Sequence, residues 1–158
     1  MTEGQIQAAP GSALSDLRAR REQAKQKLHL DLRIPRLEPP VFVRYAPLEK
    51  PDIDEANAKI AESKDRDREV VAKSVLLAKA CLGVFERDAK GRPKGDPASW
   101  PKFDQQIGAM LELPADCGAV EVVRGLYLTD GDVIVAMAEL ADWSAKSGQQ
   151  AAEEYAGN

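Results

Sequence analysis

The chain has 158 residues, with 22 basic and 26 acidic side chains and a formal net charge of −4. One domain is the expectation at this length, with about two-thirds of the unfolded surface available for burial. Hydrophobic residues at 44% and charged residues at 30% exclude wholesale disorder and a collagen-like fibre, and a pI near 5.2 argues against a dedicated nucleic-acid binder.

Aromatic residues make up 5%, so the core must be mostly aliphatic and alanine-based. No apolar run approaches the ~20 residues a membrane span needs. The opening MTEGQIQAAPGSALSDLRARR carries no basic-then-apolar signal segment, so a cytoplasmic location is expected. Cys81 and Cys117 are too few for a disulfide framework and lack metal-ligand spacing, which predicts two reduced thiols. Charge is uneven along the chain. Residues 1–50 carry 9 basic and 6 acidic groups, residues 51–95 carry 10 and 9, and residues 96–158 carry 3 and 11. The acidic last third marks a surface for association or solubility.

Residues 1–14 hold few large apolar side chains and are expected to form a flexible tail. Ser15 is a candidate N-cap for a surface helix running from Leu17 to Lys27. The period then changes. Leu28, Leu30, Leu32 and Ile34 alternate with His29, Asp31 and Arg33, the signature of a strand with one apolar face, which Pro35 ends. After the RLEPP loop, Val41, Val43 and Tyr45 alternate with Phe42 and Arg44 and predict a second strand that pairs antiparallel with the first. A two-stranded hairpin is marginal alone, so it must pack on helices.

Pro51–Ser63 reads as a helix with a thin apolar face of Ile53, Ala56 and Ile60. The strongest helical period follows. Val71, Val75, Ala78, Leu82 and Phe85 form a stripe widened by Val70, Leu77, Cys81 and Val84, as expected of a central bundle helix. Residues 86–101 form a Gly/Pro-rich loop. Phe103, Ile107, Met110 and Leu111 mark a short helix stopped by Pro114. Asp116 is placed to cap another, with Ala119, Val122, Val123 and Leu126 facing inward.

The stretch 126–136 fits two structures. Asp130-Gly131 could turn a hairpin between Leu126–Thr129 and Asp132–Val135. Alternatively Asp130 or Asp132 caps a last helix with Val133, Met137, Leu140, Ala141 and Ser144 on one face. The helical period continues to Trp143, too far for a typical strand, and favours the helix. Residues 145–158 are polar and are expected to form a tail or a frayed helix end. There is no internal repeat. The predicted fold is α+β and mostly helical: a small antiparallel β-hairpin packed on a bundle of about five or six helices. The predicted organisation is a single globular domain over 15–144, with the hairpin in 28–45 and the helices in 51–144.

Catalytic patterns are missing. His29 falls on the polar face of a strand with no ligand partners beside it in sequence. No phosphate loop, dinucleotide fingerprint or G-x-S-x-G elbow occurs. Asp130-Gly131-Asp132 lacks the further oxygen ligands of a calcium loop. Lys64–Glu69 alternates in sign and reads as a solvated helix start. Lys90-Gly91-Arg92-Pro93-Lys94 resembles the Gly-Arg-Pro core of the AT-hook family, whose extended Arg-Pro segment lies in the minor groove of A·T DNA. Asp88 and Asp96 flank it, and a basic surface loop accounts for it equally well. These residues predict a protein that binds rather than catalyses, with no cofactor and no metal.

Several segments in order carry a broader resemblance. Leu17-Arg18-Ala19-Arg20-Arg21 leads to Leu30-Asp31-Leu32, then Val41-Phe42-Val43-Arg44-Tyr45-Ala46-Pro47-Leu48. Ala80-Cys81-Leu82 and Ala138-Glu139-Leu140-Ala141-Asp142-Trp143 follow. Together, over most of residues 15–145, they resemble tail assembly chaperones of long-tailed (siphovirus-type) actinobacterial phages. The resemblance implies a cytoplasmic protein that binds the long helical tape-measure protein, keeps it soluble until the tail tube polymerises, and is absent from the finished virion. It also implies a short product accompanied by a frameshift-extended copy of itself. Ala156-Gly157-Asn158 can be written GCG GGA AAC, which contains the slippery heptamer G GGA AAC. A homo-oligomer is a further possible partner state.

Partner contacts are expected on the last helix, at Met137, Leu140 and Trp143, because that helix leads into the tail. The competing expectation is that Trp143 closes the core. A structural virion protein, either a head–tail connector or a tail component, is the alternative function. A DNA-associated protein using residues 90–94 is a third.

Overall fold

The computed structural model describes residues 3–62 and 67–157. Among them are α1 (Glu3–Lys27), β1 (Leu30–Arg33), β2 (Phe42–Tyr45), α2 (Lys50–Glu62), α3 (Arg68–Ala80), β3 (Cys81–Phe85), α4 (Gln105–Met110), α5 (Ala119–Tyr127) and α6 (Asp130–Gly157). Six helices and one three-stranded antiparallel sheet make the fold α+β and mostly helical, the class the periodicities predict.

The expected hairpin forms. β1 pairs antiparallel with β2 in the register Leu30↔Tyr45 and Leu32↔Val43. Alternation sends Val43 and Tyr45, both fully buried, toward the helices, and Phe42 and Arg44 to the opposite face.

The hairpin gains a partner that periodicity misses. The stripe read as one helix through Phe85 stops at Ala80, and Cys81–Phe85 turns extended and joins the far side of β2, giving the order β1-β2-β3. A short run of apolar residues satisfies either period, and Gly83 marks where another side chain approaches the strand closely. An ideal Cβ at Gly83 would lie 2.6 Å from Trp100 Cβ, so the Trp100 side chain lies directly on the strand backbone. The face of α3 also differs from the expected one. Val70, Ala72, Ser74, Leu76, Leu77 and Ala80 are buried, whereas Val71, Val75 and Ala78 are half-buried. α3 is nevertheless central, packing on α2, α5 and α6.

Three boundaries shift. The helix expected from Ser15 begins at Glu3, so residues 3–14 are helical rather than a flexible tail. Residues 1–2, Ser63 and Lys64–Arg66 lie outside the described residues. α5 is capped at Gly118 rather than Asp116, with the Gly118 N–H donating to Glu121 Oε2 at 2.9 Å, and Ala119 is exposed. α4 is shorter than the marked span: Phe103 and Leu111 lie outside it, Asp104 caps it by accepting from the Gln106 N–H at 3.0 Å, and Met110 is exposed rather than inward.

The 126–136 alternative resolves to helix. α5 ends at Tyr127, Leu128 reverses the chain at φ 67°, and Thr129 Oγ1 accepts from the Asp132 N–H at 3.1 Å to open α6. The segment 145–157 continues that helix to Gly157.

The core is mostly aliphatic, as expected from composition, with Tyr45, Phe103 and Tyr127 as its aromatic members. Leu77, Val122, Val123, Val133 and Leu140 are fully buried. One polar link crosses it. The Tyr45 and Tyr127 hydroxyls meet at 2.7 Å and tie the sheet to α5. Burial raises both phenol pKa values above the ordinary range and pushes the Cys81 thiol up to about 11. Ser74 is fully buried, and its Oγ makes no hydrogen bond among the described residues.

Candidate functional site

The last helix carries two apolar stripes, and the core takes only one. Val133, Ala136, Met137 and Leu140 are buried, whereas Ile134, Val135, Ala138, Ala141 and Ala145 are exposed. Residues 134, 138, 141 and 145 follow the i, i+4, i+7, i+11 spacing of one helix face. Ile134 and Val135 keep 42% and 54% of their surface, and Leu128 in the preceding turn keeps 57%. Large apolar side chains grouped this way on a helix are unusual for a surface with no partner.

Of the expected contact residues, Met137 and Leu140 therefore belong to the core and not to a free surface. Trp143 is half-buried and packs against the core, so the expectation that it closes the core is the one this geometry favours. Ala141, expected on the same inner face, points outward, while Ser144 does face inward, and its Oγ accepts from the Leu48 N–H at 3.0 Å. The exposed stripe was present in the sequence as Ile134-Val135 and Ala138. What hid it is that both faces of this helix are apolar.

The surroundings of that stripe are acidic. Over residues 130–147, Asp130, Asp132, Glu139 and Asp142 stand against Lys146 alone. Some of these acids are engaged. Arg124 takes Asp130 in a two-pronged pair at 3.0 and 2.8 Å and reaches Asp67 at 3.5 Å, which raises its pKa. Arg36 Nε meets Asp132 Oδ2 at 2.9 Å, and this hydrogen bond, with the one from Thr129, lowers the Asp132 pKa. These two pairs pin the start of α6 to α5 and to the β1–β2 loop. Asp130 and Asp132, where the sequence excludes a calcium loop, are thus partners of arginines. Glu139 is exposed and makes no ion pair among the described residues.

A second cluster is aromatic and carries two arginines. On the outer sheet face Phe85 stacks between Phe42 at 5.6 Å and Trp100 at 4.3 Å. The Arg44 guanidinium lies 5.0 Å from the Trp100 ring and holds Asp31 at 2.8 and 3.0 Å, and Arg87 lies 4.0 Å over Phe42. A cleft of about 620 Å³ opens between this face and the last turns of α1, lined by Gln23, Lys27, His29, Arg44, Leu82 and Trp100. His29 sits at its edge, with Nδ1 bonded to the Gln26 carbonyl.

Lys90–Lys94 forms the tip of a reverse turn. The Asp88 N–H donates to the Arg92 carbonyl, the Lys94 N–H donates to the Glu86 carbonyl, and Asp88 Oδ1 accepts from the N–H groups of Lys90 and Arg92. The segment is folded back on itself, unlike the extended Arg-Pro form that a minor groove accepts. Among the described residues no three His, Cys, Asp or Glu side chains converge to hold a metal ion, and no helix is long and apolar enough to cross a membrane.

Comparison with known proteins found no matching family model, no matching curated protein and no matching solved structure.

Proposed function

We propose that the protein is a phage tail assembly chaperone that binds the tape-measure protein and keeps it soluble during tail morphogenesis. In this reading it is the short product of a frameshifted gene pair, acts in the host cytoplasm and leaves before the virion is complete. The observation that carries the proposal is the ordered set of segments from Leu17-Arg18-Ala19-Arg20-Arg21 to Ala138–Trp143. The physical need is plain, because a long amphipathic helix without a cover aggregates. The exposed Ile134, Val135 and Ala138 on a 28-residue helix offer the kind of apolar face on which such a client docks.

Mass spectrometry of infected-cell lysate and of purified particles tests the assignment. The chaperone reading expects the chain in the lysate and not in the particle. Stoichiometric recovery from purified particles would replace it with a head–tail connector or tail component.

A further inference from the structure

The cleft beside the outer sheet face holds an arginine that is fixed in place but not used up. Five parts of the chain meet around it: the last turns of α1, the residue before β1, β2, β3 and the turn at residues 96–100. Its volume of about 620 Å³ is that of a small-molecule pocket. Arg44 lines it from the sheet. The Arg44 Nε and Nη2 donate to the two Asp31 oxygens at 2.8 and 3.0 Å. The rings of Phe85 and Trp100 have their centres 5.4 and 5.0 Å from its guanidinium carbon. A carboxylate on one edge and rings beside it hold the guanidinium before any ligand arrives. The arm left over is Nη1, which has no acceptor among the described residues.

The charges around Arg44 do not cancel. Asp31 is shared, because Arg87 Nη2 also lies 3.8 Å from it. Asp96 is the one carboxylate among the lining residues, and its Oδ1 accepts from the Ala98 N–H at 3.1 Å. Lys27 lines the α1 side, is exposed, and makes no ion pair among the described residues. Three cations, Lys27, Arg44 and Arg87, thus stand against two acids, Asp31 and Asp96, an excess of one positive charge. Leu82, Pro97, Ala98 and Trp100 supply an apolar wall beside these groups.

We propose that this cleft binds a small aromatic acid, a flat apolar body bearing a single carboxylate. The carboxylate meets Arg44 Nη1 and Lys27, where a charge-assisted hydrogen bond is stronger than a neutral one. The body displaces water from Leu82, Pro97 and Ala98. One negative charge on the ligand matches the one positive charge in excess. His29 adds no donor from Nδ1, which is spent on the Gln26 carbonyl. No described residue of α6 lines the cleft, so this site and the docking of a client on α6 stand or fall separately.

Titration of the full chain with sodium naphthoate, followed by two-dimensional amide NMR, tests the proposal. The Trp100 indole N–H signal should shift saturably with a Kd of about 1 mM or below. The Trp143 indole signal, from α6, should stay in place. Naphthamide, the neutral isostere, should bind about fivefold more weakly or worse. Lys27→Glu changes an exposed side chain and should weaken naphthoate about fivefold or more at an unchanged melting temperature. Arg44→Lys keeps a charge for Asp31 but loses the Nη1 arm, and it should weaken naphthoate by about the same factor. No Trp100 shift up to about 10 mM naphthoate would overturn the proposal. So would equal binding of the amide, full affinity in Lys27→Glu or Arg44→Lys, or a shift at Trp143 in place of Trp100.

Discussion

Tyr127→Phe removes one hydroxyl from a pair that has no other hydrogen-bond partner among the described residues. Tyr45 and Tyr127 are both fully buried, and their oxygens are 2.7 Å apart. After the substitution the Tyr45 hydroxyl stays buried and unbonded. An unsatisfied buried group of this kind costs about 1–3 kcal/mol. At about 2 kcal/mol, a domain of this size melts roughly 4–8 °C lower. Tyr45→Phe should cost a similar amount for the mirror-image reason. The double variant removes both hydroxyls at once and leaves two well-packed rings, so it should lie within about 1 kcal/mol of wild type. The three variants and wild type form a double-mutant cycle, read by urea denaturation with far-UV circular dichroism. The expected coupling is about 3 kcal/mol, with the double variant more stable than either single one. Single variants that each lose under about 0.3 kcal/mol, with a double variant equal to their sum, would refute the reasoning. They would mean that the two hydroxyls are solvated independently and that the sheet is not tied to α5 through them.

Three further outcomes follow from the same core. Stability should be flat between about pH 6 and about pH 8 and should fall as pH rises through about 9 toward 11. Burial holds the protons on Cys81, Tyr45 and Tyr127 in the folded state while the unfolded chain ionises first. Alkaline urea titrations check this, and the double phenylalanine variant should show a shallower decline. Ser74→Ala should raise stability by about 1 kcal/mol, since it removes a buried unbonded hydroxyl and improves helix propensity. A loss in the same denaturation assay would show that Ser74 Oγ has a partner. Gly83→Ala should destabilise by about 1–3 kcal/mol, because its Cβ would meet Trp100 and force that ring off Phe85. A shift in tryptophan fluorescence should accompany the loss, and unchanged fluorescence and stability would contradict the packing of Trp100 on Gly83.

The parts of the fold that were legible in the sequence are those with a single apolar face. β1 and β2 alternate cleanly, and α2 and α4 show helical spacing, α2 with Pro51 in its first turn. β3 was not legible, because Cys81–Phe85 continues the apolar run of α3 without a polar break. Its strand character comes from a third edge on β2 and from Trp100 on Gly83, both of which are long-range contacts. The candidate surface was half legible for the same reason. Periodicity located the last helix and its length, but Met137/Leu140 and Ile134/Ala138 are both apolar lines on it. Only the arrangement of α3 and α5 decides which line is buried. The start of α1 at Glu3 was masked by Pro10 and Gly11, two residues that normally argue against a helix.

The chaperone account is tested most directly by producing a tape-measure protein with and without this chain and measuring how much of it stays soluble. The account predicts soluble, co-purifying tape-measure protein with the wild-type chain. It also predicts a clear drop with Ile134→Asp and Val135→Asp, whose exposed positions leave the fold intact. Tape-measure protein that is equally insoluble with the wild-type chain present would contradict it.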